Sequence, residues 1–322
     1  MMSAKDKLEC DFSNWFPKFR HLTIKSRIIP LDLEFVEYLK SDSVYIPGMK
    51  NIKNEYDVDS DDEESDSEQE VEIRFESLEA DINRAIEELG GSVFPKLNWS
   101  SPKDAAWIAF NNTLECKAPS DIYLLLKSSD FIVHDLEKAF EEYDHQPEIQ
   151  YKLVLRQYLH SGLYPSLEFR CFIKDNVLVG ISQRDVLNFY PHVVHNKQDI
   201  QTAISTFYTS FIHSKFPSSS CNMSLTLDVL DVFCNKELRV LIMDFNPFSQ
   251  TTDALLFDWE ELYSKNEIEM RVVESNEQAA CAQPQFAHNR LPKDAFDMSN
   301  GKTLDEFISV FDKEIKKQLE EL

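Results

Sequence analysis

From Tyr151 to Phe245 apolar residues return at every second position in five short runs, and this pattern constrains the fold more than any other feature. The runs are YKLVLRQY (151–158), LEFRCFIK (167–174), VLVGISQR (177–184), MSLTLDVLDVF (223–233) and ELRVLIMDF (237–245). Period two marks strands with one buried face. Only Asp175 and Asn176 separate the second run from the third. Such residues tolerate the positive backbone angles of a two-residue turn, so a hairpin is expected there. The last two runs form a second expected hairpin. Elsewhere the spacing is helical: Phe75, Leu78, Ile82, Ile86 and Leu89 recur three or four apart, with Gly90 placed to cap the end. SVFPKLNW (92–99) reads as a strand, followed by a polar loop, SSPKD (100–104).

Further helices are expected over 120–128, 130–143, 197–216 and 253–263, with a short strand near 268–273. A last helix is expected behind the capping box Thr303-x-x-Glu306, with the stripe Leu304, Phe307, Ile308, Phe311, Ile315 and Leu319. Strand pairs interspersed with helices imply an α+β fold with largely antiparallel sheets. At 322 residues the chain forms one large domain or two intimately joined ones. The change of pattern after 150 divides it into an N-terminal lobe, 1–150, and a C-terminal lobe, 151–322.

Charge and glycine content narrow the chemistry. Only six glycines are present, against about 23 at the usual frequency of roughly 7%. None has the spacing of a P-loop or a G-x-G-x-x-G fingerprint, which need glycine for close backbone approach to phosphate. Side chains must therefore do much of the holding of any nucleotide. The net charge is −24, and residues 55–72 (EYDVDSDDEESDSEQEVE) carry eleven acids and no base. This run has too little apolar content to offset its ordering entropy, so a disordered acidic loop is expected. Ser60, Ser65 and Ser67 sit among its acids, where an acid-directed kinase would act; a plain solvated linker is the other reading. Phosphate contacts need clustered Lys and Arg, so no nucleic-acid partner is expected, and a basic protein surface is the natural complement. None of the six cysteines forms C-x-x-C, and no Cys/His group has zinc spacing. With no apolar run approaching a membrane span, the expectation is a soluble cytoplasmic protein with reduced thiols and no membrane partner, a monomer by default.

One anomaly stands out in the last expected hairpin. Asp231 is in phase with Leu225, Leu227, Val229 and Phe233, and Asp244 and Asn246 are in phase with Val240 and Ile242. A hairpin loop centred between Glu237 and Leu238 would set Asp231 directly opposite Asp244, with Cβ atoms about 5 Å apart. Two ionised carboxylates that close repel one another, and a divalent cation removes the conflict. Oxygen-only ligands suit Mg²⁺, which usually coordinates substrate phosphates as well. A strand whose alternation simply lapses into a loop at Asp244 fits the spacing equally. Positive counterparts exist: Glu168 and Arg170 share a strand face, Arg156 is in phase with Tyr158, Arg184 closes the third run, and Lys96 lies mid-strand in phase with Phe94. Each alone reads as a surface charge. Together, beside acidic residues, they suggest a nucleotide–Mg²⁺ site.

The segments FPKLNWSSPKDAAW (94–107), LKSSDFI (126–132), EFRCFIK (168–174), GISQRD (180–185), LDVF (230–233), MDFNPF (243–248) and DALLFDWEEL (253–262) occur in this order. Together they resemble the eukaryotic cell division cycle protein 123 family. The resemblance implies an ATP-grasp fold with ATP in the cleft between two α+β lobes. It implies Lys96 as a phosphate contact and Arg156, Tyr158 and Leu159 as the hinge against which adenine lies. Glu168, Arg170 and Arg184 are implied nucleotide contacts, and Asp231, Asp244 and Asn246 implied Mg²⁺ ligands. It further implies an assembly chaperone that binds the gamma subunit of eukaryotic translation initiation factor 2, supporting translation initiation and cell-cycle progression. An ATP-grasp ligase or kinase acting on an unidentified acceptor would use the same ATP ligands; no His or Cys among the motifs looks like a carrier.

Overall fold

Strand β3 (Lys152–Gln157) carries a different core on each of its faces. Leu153 and Leu155 point into one buried cluster and Val154 into another. In the computed structural model, which describes residues 3–41, 46–47, 74–109, 112–141, 143, 147–160, 163–213, 215–218, 220–228 and 239–281, β3 is the centre of a three-stranded antiparallel sheet. Its neighbours are β1 (Ser26–Pro30) and β2 (Val93–Lys96). The expected division at 150 falls just before this strand. The chain divides into two units, Met1–Ala280 and Cys281–Leu322. The described elements belong to the first, apart from the last residue of a helix over Asn276–Cys281.

Four helices cover the Leu153/Leu155 face: α3 (Leu33–Lys40), α4 (Glu76–Glu88), α5 (Pro119–Lys127) and α6 (Asp130–Glu137). Helix α4 ends where the spacing predicts, with Gly90 at φ 98 just beyond it. That left-handed conformation costs glycine little. The polar loop expected at 100–104 runs into a 3-10 helix, Lys103–Ile108, and α6 stops at Glu137 rather than at 143.

The larger sheet has five strands in the order β7-β6-β4-β5-β8, antiparallel except for the β5–β8 pair. β4 (Glu168–Lys174) and β5 (Val177–Gln183) form the expected hairpin, and Asp175 and Asn176 turn at φ 51 and 61, as a type I′ turn requires. β6 (Cys221–Asp228) pairs with β7 (Arg239–Pro247), and β8 (Glu269–Arg271) lies at the far edge. One face of this sheet contributes Phe169, Cys171, Ile181, Met223, Leu225, Ile242 and Phe245 to the core. Against it pack Ile200, Ile204 and Phe207 of helix α8 (Lys197–Phe207). The aromatic side chains of α2 (Phe12–Phe19), near the N-terminus, pack there as well. This core therefore takes material from positions as far apart as Cys10 and Val272.

The helix expected over 253–263 is confined to Trp259–Ser264. Residues 253–258 instead form a loop over the other face of the sheet, with Leu255 at φ 60. Their backbone groups serve the sheet: Arg170 donates to the Asp253 carbonyl at 2.5 Å, and Leu256 N–H donates to Ser182 Oγ at 3.3 Å. A helix starting at 253 would keep the Asp253 carbonyl for its own ladder. The acidic run 55–72, its serines and the helix expected behind Thr303 lie outside the described residues.

Candidate functional site

The register of the larger sheet assembles a polar face opposite the core face. Asp244 lies opposite Ser224, Ser224 opposite Arg170, and Arg170 opposite Ser182, one row crossing four strands. Asn246 starts the next row, opposite Asn222. Glu168 and Arg184 close the upper end: Arg184 N–H donates to the Glu168 carbonyl at 3.0 Å, and its Nε lies 3.4 Å from Glu168 Oε2. Five residues singled out from sequence, Glu168, Arg170, Arg184, Asp244 and Asn246, thus share one face.

The smaller sheet meets this face at the edge strand β7. Phe94 lies opposite Arg156, and Lys96 opposite Val154, so Lys96 and Arg156 project from the face that carries Val154 toward the second core. Lys96, 1% exposed, donates to Asp244 Oδ2 at 2.6 Å. Arg156, 2% exposed, donates to the Met243 carbonyl at 2.6 Å and to Thr23 Oγ1 at 3.0 Å. Thr23 in turn donates to the Ile242 carbonyl at 2.6 Å.

Two sequence-based expectations about β7 are corrected. Asp244 and Asn246 do not share a face with Val240 and Ile242. Opposite the step from Ser224 to Leu225, β7 bulges and leaves Met243 without a ladder partner, and this one extra residue inverts the alternation beyond it. Val240, Ile242 and Phe245 therefore face the core, while Asp244 and Asn246 lie on the opposite, polar face. Nor is Asp244 opposite Asp231: its ladder partner is Ser224, and pairing runs on to Asp228 opposite Arg239. The apolar contacts of Leu225 and Phe245 set this register, not a turn at Glu237–Leu238. Asp231 itself lies outside the described residues.

Electrostatically this polar face is crowded with cations. Burial lowers the guanidinium pKa of both Arg156 and Arg170 to about 10, which leaves them charged near neutrality. Arg170 also feels the like charge of Arg184. Lys103, which sequence reading passed over, belongs to the same group. Its ammonium is pushed down to about 7, first by the positive charge of Arg184 and then by loss of hydration, with Glu168 and Asp244 pulling it back. Its side chain is exposed, so the like charge is the governing cause. Its position within the polar loop SSPKD gave no periodic signal.

Whether these residues fit a nucleotide with Mg²⁺ is tested by their unmet valences. The Nε atoms of Arg156 and Arg170 are buried without a hydrogen-bond partner among the described residues. Buried charged donors in that condition are costly unless an anion meets them. Asp244 and Asn246 offer oxygen donors on the same face, the kind Mg²⁺ takes. The fit is good for a polyphosphate with a hard cation. Among the described residues no group of three or more His, Cys, Asp or Glu is placed to hold a metal ion, so any metal set from these elements rests on Asp244 and Asn246. Tyr158 and Leu159 stand apart, past the end of β3. Tyr158 N–H donates to the Ser92 carbonyl at 3.0 Å, and its ring lies edge-on to His160. No helix among the described residues is long and apolar enough to cross a membrane.

Comparison with known proteins agrees with the resemblance in the motifs. The family model described as D123 matches residues 15–299. A Xenopus tropicalis protein named translation initiation factor eIF2 assembly protein is 37% identical over 325 residues, covering 94% of each chain. A Dictyostelium discoideum protein of the same name is 37% identical over 302 residues, covering 80% of this chain and 76% of its own. Among solved structures, Cdc123 from Schizosaccharomyces pombe aligns with a TM-score of 0.70 at 33% identity, covering 85% of this chain and 99% of its own. With mixed α+β architecture, antiparallel sheets and this run of shared motifs, the chain belongs to the D123 family, that of Cdc123.

Proposed function

We propose that this protein is an ATP- and Mg²⁺-binding assembly chaperone of the ATP-grasp type, which binds the gamma subunit of eIF2 and promotes assembly of that factor. The observation that carries the nucleotide reading is the single polar face on which Asp244, Asn246, Glu168, Arg170 and Arg184 meet Lys96 from the smaller sheet. The names of the relatives support the role in eIF2 assembly. In this reading Lys96, Lys103, Arg170 and Arg184 hold phosphate oxygens, and Asp244 and Asn246, with Asp231, hold the metal. Arg156, two of whose nitrogens also brace Met243 and Thr23, forms with Tyr158 and Leu159 the hinge that borders the base. Bound Mg²⁺ supplies charge neutralisation of the polyphosphate. Because both sheets contribute ligands, nucleotide binding favours one arrangement of the lobes and so one presentation of the partner surface. The protein acts as a cytoplasmic monomer.

Calorimetry with Mg-ATP tests the nucleotide reading: Asp244→Asn is expected to lose measurable binding, and unchanged affinity would refute it. A pull-down with purified gamma subunit tests the partner, with no recovery at micromolar concentration counting against it. Following ADP and AMP in the same incubations separates a nucleotide-holding chaperone from a ligase or kinase.

A further inference from the structure

The two buried cations that join the sheets share a neighbour from the N-terminal helices. Phe12, fully buried, presents its ring to the Lys96 ammonium at 5.1 Å from the centroid and to the Arg156 guanidinium at 5.3 Å. Phe94 lies at 5.2 Å from Arg156. Among the described residues, Lys96 has one hydrogen-bonding partner, Asp244, although an ammonium carries three donors. Beyond that ion pair, the π-face of Phe12 is a further compensation for its burial, and a ring attracts a cation most strongly where water is excluded.

The ring is held firmly. Phe12 N–H donates to the Asn98 carbonyl at 2.9 Å, and Asn98 Nδ2 donates to Asp11 Oδ2 at 2.7 Å. Asp11 also caps α2 by accepting from Ser13 N–H at 2.7 Å. Asn98 Oδ1 accepts from Lys152 N–H at 2.9 Å, and Lys152 Nζ donates to Ser13 Oγ at 2.7 Å. The start of α2 is thus clipped to the end of β2 and the start of β3, the strands that carry Lys96 and Arg156. On its other sides the ring meets Trp15 edge-on at 4.6 Å and stacks on Phe16 at 5.0 Å. Trp15 continues the aromatic wall to Phe245, the residue after Asp244. An aliphatic side chain of similar volume would fill this space but offer no negative face.

We propose that Phe12 is a positioning residue of the candidate site: its ring sets where the Lys96 ammonium and the Arg156 guanidinium stand. The proposal rests on the nucleotide reading for its consequence, although the geometry is independent of it. The N-terminal segment is then part of the site and not merely part of the core.

The test replaces Phe12 in the full-length chain with phenylalanines bearing one, two and three ring fluorines, which weaken the π-face while keeping the shape. Mg-ATP affinity is expected to fall stepwise along the series, reaching on the order of tenfold for the last member. A purely steric role leaves affinity flat, and a flat series would overturn the proposal. A second readout needs no nucleotide. In lysine-labelled protein the ε-CH₂ signal of Lys96, assigned through Lys96→Arg, is expected to lie upfield because it sits over the ring. It should return to the ordinary position in Phe12→Leu. An ordinary position in the unsubstituted protein overturns the proposal. If that protein fails to bind Mg-ATP while the upfield signal is present, the nucleotide reading fails and the positioning of Lys96 by Phe12 stands.

Discussion

Lys96 of the smaller sheet donates to Asp244 of the larger one at 2.6 Å, and the ammonium is almost wholly shielded from solvent while the carboxylate keeps 22% of its side-chain surface. The pair is unequal: removing the carboxylate strands a buried cation, whereas removing the lysine leaves a carboxylate that water still reaches. Asp244→Asn is therefore expected to destabilise by about 2–3 kcal/mol, and Lys96→Met by less. Adding Lys96→Met to Asp244→Asn should recover part of the loss, because no stranded charge remains. Urea unfolding of the two single variants and the double variant measures this. Additive effects would mean that the pair does not couple the sheets.

Lys103 is expected to be the most reactive lysine at about pH 7.5. With its ammonium pushed down to about 7, a large share is free amine, whereas an ordinary lysine with a pKa near 10.4 is almost wholly protonated. Limiting acetic anhydride followed by peptide mass spectrometry should find Lys103 acylated first. Since Arg184 is the leading cause, Arg184→Gln should slow that acylation; equal rates would show that the arginine is not responsible.

Asp135 makes stability fall with rising pH over a defined window. Burial raises its carboxyl to about 6, against the hydrogen bonds it accepts from Ser100 N–H at 2.7 Å and Ser100 Oγ at 2.9 Å. Between about pH 4 and pH 6 the folded protein holds this proton and the unfolded chain has lost it, so each step up in pH favours unfolding. Above about 6 both states are ionised and the dependence ends. Asp135→Asn should flatten this segment of the curve, by on the order of 1–3 kcal/mol across it. Parallel curves for the two proteins in denaturant titrations would contradict the assignment.

Gly180 is constrained by packing on the face of the larger sheet opposite its main core. A Cβ there would stand 3.2 Å from Phe172 Cδ2, 3.2 Å from Phe257 Cζ and 3.3 Å from Leu262 Cδ2. These three side chains belong to the small cluster under the 253–258 loop. Gly180→Ala is expected to lower stability by about 1–2 kcal/mol through overpacking. A further loss in hydrogen-exchange protection of Leu256 would show the loop lifting from Ser182.

Much of the β4–β5 hairpin was legible in the chain, because its signals are local. Alternation over EFRCFIK, two turn residues tolerant of positive φ, and a second apolar run announce the hairpin, though not the shift in its register between Phe172 and Ile173. The shared face of Glu168 and Arg170 follows from the same period of two. Helix α4 and its glycine end were legible for a similar reason. The orientation of Asp244 was not. Its phase depends on a bulge that opens where Leu225 and Phe245 both seek the core, and no residue in DFNPF announces it. Lys103 was missed because a charged residue in a polar loop carries no periodic mark.

By itself the sequence determined the element types, the α+β class, the family and which residues carry charge in apolar surroundings, since these depend on spacing and composition. Only the tertiary structure decided that Lys96 meets Asp244 across two sheets 148 positions apart in sequence. It also decided that Phe12 stands beside Lys96 and Arg156, and that a single bulge turns a carboxylate from the core face to the polar face of the sheet. Those outcomes follow from long-range packing and ladder register, where one inserted residue inverts a face and nothing local records it.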